Sequence, residues 1–485
     1  MPPLSRPQRP VPLRLPPRDA LVAGEADVLV VGGGPAGLGA AIGAAEAGAD
    51  VILVERYGFL GGNATVALVL PLMSFHTQRQ PAPSGDEEGL SLMPTDHGPG
   101  DPVVAGVLQR LLERLVATGG AVEPSPRTGY TVPCDPEAYK LTMLDLLDQA
   151  GVRFLFHAFA SGVVGADDVD GVDGVVFETK SGPVVVRAAA VVDCTGDGDV
   201  AAAAGAPYDV GREEDGLVQP MTLMFRMVEF ERPDFAAYVR ENPDQWRGVH
   251  GLWDLVAKAS ADGRLELPRE DVLFFATPHE RELTFNSTRV GGGLGVDVWD
   301  LTSAEWQARR QMRQIVSFLR DYVPGFDKAY VAQSGVNVGV RETRRIRGEY
   351  QLTAEDVLTA RKFPDAVARG SYPVDIHNPK GKGTVLQNLP PGEAYDIPLR
   401  CLLPRGVERL LVAGRCISGT HEAHSSYRVT PIAMATGHAA GVCAALATRS
   451  GATPREVDAA RVQDELLAQG ANLGAPASAA EPADS

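Results

Sequence analysis

Three glycines near the N-terminus have the spacing of a loop that binds the pyrophosphate of a dinucleotide. Gly32, Gly34 and Gly37 satisfy the pattern G-x-G-x-x-G, with Pro35 and Ala36 between the last two. The first glycine permits a tight turn, the second lets the backbone approach a pyrophosphate, and the third lets the following helix pack on its strand. The N–H groups at the start of that helix carry partial positive charge, which favours bound phosphate.

The chain around these glycines has the order of elements that a dinucleotide-binding fold needs. An apolar run at residues 28–31 precedes the loop, an alanine-rich run follows it to Gly48, and a second apolar run covers residues 51–54. Glu55 ends that second run, where a carboxylate can accept hydrogen bonds from the hydroxyls of an adenosine ribose. We therefore predict strand, helix and strand, with a nucleotide site at their junction.

Two further segments supply candidates for the same site. Arg56 follows the ribose acid, and the glycine pair after it either places backbone N–H groups beside the nucleotide or forms a plain turn; its residues are Gly61, Gly62, Asn63, Ala64 and Thr65. The second segment is an acidic glycine turn after a buried strand, Thr195-Gly196-Asp197. The ligand spacing of a calcium loop is not met there, so we expect no metal.

The composition excludes several classes of function. The chain has 485 residues, 44% of them hydrophobic, and a formal charge of −17, which argues against nucleic acid and anionic membranes as partners. No long uncharged apolar stretch predicts a membrane span. Its five cysteines show no metal-ligand or C-x-x-C spacing, which favours a reducing cytoplasm. The sequence is compatible with a homodimer.

The expected fold class is α/β. We predict a discontinuous Rossmann-like domain over residues 26–76, 130–209 and 396–450, with a central parallel sheet. Four short apolar runs, at 153–156, 174–179, 184–186 and 190–194, predict a small antiparallel meander and then a buried strand. An α+β substrate or cap domain is expected over 77–129 and 210–395. A helix is expected at 103–117, in this domain, and another at 136–149, in the Rossmann-like domain.

The remaining stretches connect or end these domains. Residues 77–102 are expected to form a long loop, either a lid or disordered. Residues 1–25 are expected to be a mobile arm and 468–485 a disordered tail. The glycine run 291–295 is interpreted as a turn, because no small-residue helical face follows it. A built-in NAD(P)H domain is therefore not expected.

The last ordered segment repeats the opening pattern. An apolar run at 409–413 predicts a buried strand, and Gly414-Arg415 predicts a turn. A helix is expected to begin near Pro431. Its small residues recur every four positions and give it a bare face that could press on a sheet or a flat ring; they are Ala433, Gly437, Gly441 and Ala445.

These motifs together resemble the FAD-dependent oxidoreductase family within the glutathione-reductase-type, two-dinucleotide-binding flavoprotein superfamily. The resemblance covers about residues 26–447 and is carried by segments 30–37, 193–199, 339–350 and 411–441. It implies FAD as cofactor, with Glu55 on the ribose, the Thr195-Gly196 turn against the FAD, and Gly414-Arg415 near the ribityl-pyrophosphate. Related aromatic hydroxylases usually have Gly-Asp at this last position, and the W-x-W-x-I-P signature of flavin halogenases is missing.

Residues between the final strand and the final helix are the first candidates for catalysis. His421, His424 and Arg428 lie in this segment, which the resemblance places closest to the flavin. The histidines are three apart, so one helical turn would put them on the same side. They either handle protons or bind substrate, or they are structural histidines bonded to loop carbonyls; a metal site would lack a third ligand.

A basic cluster in this acidic chain supplies the other candidates. Arg341 begins a run with Arg344, Arg345 and Arg347, and an arginine fork suits a carboxylate or phosphate. The alternative is ion pairing with neighbouring acids. Asp375 and His377, in an extended segment bounded by prolines, and Tyr395, before the final strand, could reach the same cleft.

The expected function is hydride transfer between a small polar metabolite and non-covalently bound FAD. The alternatives are a flavin monooxygenase, or an FAD-containing scaffold that recruits a partner protein. A scaffold would have support only from the acidic stretch 77–102 and the proline-rich arm.

Overall fold

A computed structural model describes residues 3–4, 6–8, 11–78, 90, 92–93, 100–125, 131–165, 170–378 and 383–474. Its strands are β1 (Leu21–Val31), β2 (Val51–Val54), β3 (Arg153–Leu155), β4 (Phe159–Gly165), β5 (Val172–Thr179), β6 (Gly182–Asp193), β7 (Tyr208–Val210), β8 (Phe225–Val228), β9 (Trp246–Arg247), β10 (His250–Gly251), β11 (Val272–Ala276), β12 (Glu282–Phe285), β13 (Tyr330–Ser334), β14 (Arg344–Ile346), β15 (Ala366–Gly370), β16 (Val374–His377), β17 (Thr384–Gln387), β18 (Tyr395–Pro398) and β19 (Leu410–Val412).

The helices connect these strands and cover the sheets. They are α1 (Pro35–Glu46), α2 (Asn63–Val66), α3 (Val107–Ala117), α4 (Pro136–Gln149), α5 (Asp199–Ala203), α6 (Arg232–Glu241), α7 (Trp253–Ala261), α8 (Val298–Tyr322), α9 (Ala354–Leu358), α10 (His421–Tyr427), α11 (Thr430–Ser450) and α12 (Ala459–Ala468).

A seven-stranded sheet forms the centre of the fold. Its order is β3-β2-β1-β6-β5-β4, and β19 pairs with the end of β6. The pairs among β3, β2, β1, β6 and β19 are parallel, and the paired parts of β1 and β2 are buried on both faces, as parallel sheets between helices are. The expected α/β fold with a central parallel sheet is confirmed. β1 begins at Leu21, inside the stretch assigned to the N-terminal arm.

The predicted antiparallel meander is present, but it is formed by other strands than expected. β4, β5 and β6 pair antiparallel, whereas the run at 153–156 forms β3, which pairs parallel with β2 at the sheet edge. The runs at 184–186 and 190–194 belong to the single strand β6. One half of β6 pairs with β5 and the other half with β19, so one long strand serves both the meander and the parallel sheet.

The closest helix packing joins α1 to α11. A Cβ atom added at Gly437 would overlap the carbonyl oxygen of Ala36, and one at Gly441 would overlap that of Ala40. Because residue numbers rise together along the contact, the two helices run parallel and their N-termini lie at the same end. The bare face predicted for the last helix therefore packs on α1 at Gly437 and Gly441.

A second sheet is formed by the part of the chain between β7 and β14. Its six strands, in the order β13-β8-β12-β11-β10-β9, are antiparallel and share a core of aromatic and aliphatic side chains with α6, α7 and α8. Arg226 of this sheet pairs with Glu282 and also reaches Asp135, which caps α4 of the first domain. The antiparallel sheet is thereby tied to the parallel one.

The predicted helices at 103–117 and 136–149 appear as α3 and α4, with Asp135 capping the second. The 291–295 turn leads into α8, whose first turn is capped by Asp297. Most of the predicted lid at 77–102, and the tail from residue 475, lie outside the described residues. α11 is long and apolar enough to cross a bilayer. However, 89% of its most apolar stretch is buried inside the protein, as in the core helix of a folded domain.

Replacing Gly437 by alanine tests the contact between α1 and α11. In an open helix this change would raise stability by about 1 kcal/mol through helix propensity. Here the added methyl group meets backbone that cannot rotate away, so we expect a net loss of about 1–3 kcal/mol and a lower Tm by circular dichroism. Gly165→Ala, where a Cβ would meet nothing within 4 Å, is the control. An unchanged or higher Tm for Gly437→Ala would contradict the packing.

Candidate functional site

A groove, here called the nucleotide groove, runs past the ends of the parallel strands and the N-termini of α1 and α11. Twelve of the predicted binding residues line it: Gly32, Gly34, Pro35, Ala36, Glu55, Arg56, Gly62, Asn63, Thr195, Gly196, Gly414 and Arg415. The sequence did not single out other lining residues, among them Tyr57, Val66, Ala158, Phe159, Ala160, Cys194, Asp199 and Thr430. The groove matches the ligand position of open α/β sheets, outside the carboxyl ends of the strands.

Glu55 is held rigidly at the end of β2. Its two carboxylate oxygens accept hydrogen bonds from the backbone N–H groups of Gly33, at 2.6 Å, and Tyr57, at 2.9 Å. Burial raises the pKa of Glu55, against the lowering effect of these two bonds. A carboxylate has about four acceptor positions, so the side chain can still accept the hydroxyls of a ribose.

The glycine loop has the shape that a pyrophosphate needs. Gly32 has a φ of +105°, which disfavours residues with a side chain, and an added Cβ would press on the carbonyl of Cys194. At Gly34 the nearest atom to an added Cβ is Gly62 Cα, at 3.6 Å, so the surface there is open. α1 has no side-chain cap, which leaves its first N–H groups available to an anion.

Asp193, at the end of β6, holds the Thr195 turn in place through hydrogen bonds. This buried carboxylate accepts hydrogen bonds from Thr195 N and Oγ1, at 3.0 and 2.7 Å, and from Ala201 N, at 2.9 Å. Burial raises the pKa of Asp193 to about 6. Arg415 also holds the turn, because it donates to Gly196 O at 2.9 Å and pairs with Asp197.

Five predicted binding residues do not line the groove. Asp197 turns away to accept hydrogen bonds from Thr343 and Arg415. The others shape the walls: Gly37 gives the room for α1 to leave β1, Gly61 donates to Gly33 O, Ala64 is buried, and Thr65 donates to Leu60 O.

The far end of the groove is formed by the start of α11. Gly414 N donates to Thr436 Oγ1 at 3.0 Å, which joins the turn after β19 to this helix. Val429 precedes α11, and no side chain caps it. Thr430 and Ala433 line the groove at this point, so the positive end of a second helix dipole faces it.

A second space, here called the adjoining cavity, opens beside this end of the groove. Its volume is about 510 Å³, within the range of sites for small organic ligands. Asn63, Arg428 and Thr430 line both spaces. Most of its walls are apolar, and the apolar lining residues include Val69, Leu70, Pro71, Met73, Met224, Val249, Leu273, Phe275, Val340, Val429 and Pro431.

Three predicted catalytic residues line the adjoining cavity, namely Arg341, His377 and Arg428. Asp375 joins them: its Oδ2 accepts from Tyr372 at 2.8 Å and lies 3.5 Å from both His377 Nε2 and Arg428 Nη2. Burial alone would raise the pKa of Asp375, but its bond to His377 and the charges of His377 and Arg428 lower it overall. Asp375 is therefore ionised at neutral pH.

His377 is a poor acceptor of a substrate proton. Burial, followed by the charge of Arg341, lowers its pKa to about 4, against the raising effect of Asp375. Its Nε2 faces Asp375, and its Nδ1 lies 3.1 Å from Thr384 Oγ1. Both ring nitrogens are occupied by protein groups.

His250 is a lining residue that the sequence did not reveal. Its Nδ1 lies 2.9 Å from Asp271 Oδ2, and its side chain is 40% exposed. Nε2 has no hydrogen-bond partner among the described residues. The pairing of β10 with β11 brings the two residues together, and no spacing in the sequence signals that contact. A carboxylate on Nδ1 fixes the tautomer and leaves Nε2 to act on a ligand.

His421 and His424 are not brought to either space. His421 Nδ1 bonds to Glu342 at 2.8 Å, and Glu342 also pairs with Arg345, all three side chains being buried. His424 is fully buried, and burial together with the charge of Arg345 holds its pKa well below the usual value. Arg344, Arg345 and Arg347 make ion pairs with acids, so Arg341 alone of the basic cluster reaches the cavity. Tyr395 is buried against Ser426.

Comparisons with known proteins agree with the nature of the groove. The model of a family described as FAD dependent oxidoreductase matches residues 27–466. No curated protein matches the chain.

Three solved structures that match the chain have low identity to it. A geranylgeranyl bacteriochlorophyll reductase-like protein from Thermoplasma acidophilum is 14% identical, with 92% of this chain and 83% of that one covered and a TM-score of 0.41. Anhydrotetracycline hydroxylase from Streptomyces rimosus is 12% identical, with coverages of 92% and 66% and a TM-score of 0.41. The p-nitrophenol 4-monooxygenase from Pseudomonas putida is 12% identical, with coverages of 91% and 83% and a TM-score of 0.41.

Substituting Gly34 by valine separates binding from folding. The added side chain has room at its own position but projects where a pyrophosphate would approach the loop. We expect a folded protein with an unchanged circular dichroism spectrum that no longer quenches the fluorescence of added FAD. Gly37→Val, whose Cβ would overlap Gly32 O, should instead fail to fold. Normal FAD titration of Gly34→Val would show that the dinucleotide lies elsewhere.

Proposed function

Since the chain belongs to the FAD-dependent oxidoreductase family, we propose that it transfers a hydride between FAD in the nucleotide groove and an organic substrate in the adjoining cavity. The observation that carries this proposal is the shared wall: Asn63, Arg428 and Thr430 line both spaces. A redox cofactor at that end of the groove would therefore face a substrate directly.

The residues of the groove fit FAD from one end to the other. Glu55 would hold the adenosine ribose, the glycine loop and the start of α1 would hold the pyrophosphate, and Gly414, Thr430 and Ala433 would hold the flavin end. When bound, FAD supplies the hydride chemistry itself.

We propose that FAD is bound non-covalently. The finer assignment to the glutathione-reductase-type superfamily is part of the proposal, and the β4–β6 meander supports it.

The walls of the cavity favour a substrate with a sizeable apolar part. The sequence led us to expect a small polar metabolite, but methionine, phenylalanine and branched side chains contribute most of the lining. Burying such surface contributes about 25 cal/mol per Å² to binding. The polar part of the lining includes the shared wall, His250, and the charged or titratable residues Arg247, Arg341, Asp375 and His377.

His250 is the group best placed to exchange a proton with the substrate. Oxidising a C–H bond next to oxygen or nitrogen requires a base that accepts the O–H or N–H proton as the hydride leaves. Asp271 holds the Nδ1 side of the ring and would stabilise the positive charge after proton uptake. His377, with both nitrogens engaged, would instead help Asp375 to hold Arg428 in place.

Reduction of the flavin by substrate is the direct test of hydride transfer. FAD-loaded protein mixed anaerobically with pools of organic alcohols, amines and acids should lose its flavin absorbance in a stopped-flow instrument without NAD(P)H. Flavin that only NAD(P)H reduces, followed by incorporation of oxygen from O₂ into the substrate, would identify a monooxygenase instead. Flavin that no donor reduces, in a stable complex with another protein, would favour a scaffold.

His250→Gln tests the proton acceptor. With a donor identified by the screen, we expect flavin reduction to slow by roughly a hundredfold or more, the scale of a lost acid–base group, while FAD stays bound. Asp271→Asn should show a smaller loss and a shifted pH profile. His279→Gln, at a half-exposed histidine outside the cavity, is the control. Equal reduction rates for His250→Gln and the unmodified protein would remove His250 from the mechanism.

A further inference from the structure

We propose that the substrate carries a carboxylate and that Arg341 binds it, with an apolar body filling the rest of the adjoining cavity. The inference rests on the proposed function, because it names the substrate class of the same site. It depends on the state of the Arg341 guanidinium, on the charge balance of the lining and on the nature of the walls.

The Arg341 side chain is partly buried in the wall of the adjoining cavity. Its Nη1 donates to Pro220 O and to Thr222 Oγ1, both at 2.6 Å. These two neutral acceptors fix the orientation of the side chain, and Arg341 forms no ion pair among the described residues. Burial, followed by the charge of Arg428, lowers its pKa to about 9, against the raising effect of the Asp375 carboxylate. Buried charges in proteins are normally paired.

The lining of the cavity has an excess of positive charge. Arg247, Arg341 and Arg428 line it, whereas Asp375 is the acidic residue among the described lining. That carboxylate is already engaged by Tyr372, His377 and Arg428. Arg428 itself has only long contacts to Asp375, at 3.4 and 3.5 Å, and its Nε is buried without a partner. In a chain with a net charge of −17, this local excess is a specific feature of the site.

The orientation of Arg341 favours a planar anion. Because Nη1 is committed to Pro220 and Thr222, the opposite edge of the guanidinium, with Nη2 and Nε, carries the remaining donors. A guanidinium edge matches a carboxylate with two parallel hydrogen bonds. The apolar walls described above would enclose the body of the molecule, so the substrate class is an aromatic or long-chain carboxylic acid.

Calorimetric titration of FAD-loaded protein tests the inference without requiring turnover. The probes are 4-phenylbutanoate, the matched neutral 4-phenylbutanamide and 3-phenylpropyl phosphate. We expect the carboxylate to bind at least about tenfold more tightly than the amide and the phosphate. Arg341→Met should weaken carboxylate binding by about 10- to 100-fold, the range for a lost hydrogen bond to a charged group, and leave the amide unchanged.

Two further variants separate the planar edge of the guanidinium from its charge and control for the loss of an arginine elsewhere in the segment. Arg341→Lys keeps the charge but loses the planar edge, so an intermediate affinity is expected. Arg347→Met removes an exposed arginine of the same segment, paired with Asp209, and should bind like the unmodified protein. If Arg341→Met does not fold, the affinity of Arg341→Lys for the carboxylate and the comparison of carboxylate with amide in the unmodified protein still test the inference.

The outcomes separate this inference from the proposed function. Equal affinity for carboxylate and amide, preference for the phosphate, or carboxylate binding that ignores Arg341 would overturn the inference, even if an uncharged donor reduced the flavin. Carboxylate binding that depends on Arg341, in a protein whose flavin no donor reduces, would support the anion site and reject hydride transfer.

Discussion

The contact between α1 and α11 is the constraint on which the site depends. Glycines on both helices let their backbones meet, and no residue with a side chain fits at Gly437 or Gly441. Because the helices run parallel, their N-termini emerge at the same end of the sheet, where neither has a side-chain cap. Two positive helix ends therefore face one groove, one suited to the pyrophosphate and the other to negative charge on the reduced flavin.

The second requirement is that the inserted antiparallel sheet closes on this groove. Arg415 joins the two parts, since it contacts Gly196 and Asp197 of the first domain and the carbonyl of Val340. Asn63 also donates to Val340 O, at 3.1 Å. The next residue is Arg341, so the bonds that close the groove also place in the adjoining cavity an arginine that forms no ion pair within the described part of the chain. The nucleotide groove and the adjoining cavity are thus fixed by the same short segment.

Local features of the chain could be predicted, and features made by distant contacts could not. The glycine loop, Glu55, the helix α4 and the start of α11 depend on neighbouring residues, and the structure has them where the sequence indicated. The strand at 153–156 was misassigned because an apolar run does not show which neighbour it pairs with. His421 and His424 precede α11 as expected, but His421 bonds to the buried Glu342 and His424 is itself fully buried. His250 and Asp271 meet only through strand pairing, which no local spacing encodes.

A crystal structure of the protein with FAD bound tests the central claim most directly. The account predicts the adenosine ribose on Glu55, the pyrophosphate at the start of α1, and the flavin ring bordered by Asn63, Arg428 and Thr430, with one face open to the adjoining cavity. A flavin ring that turns away from these three residues, or that is separated from the cavity by protein, would contradict the account.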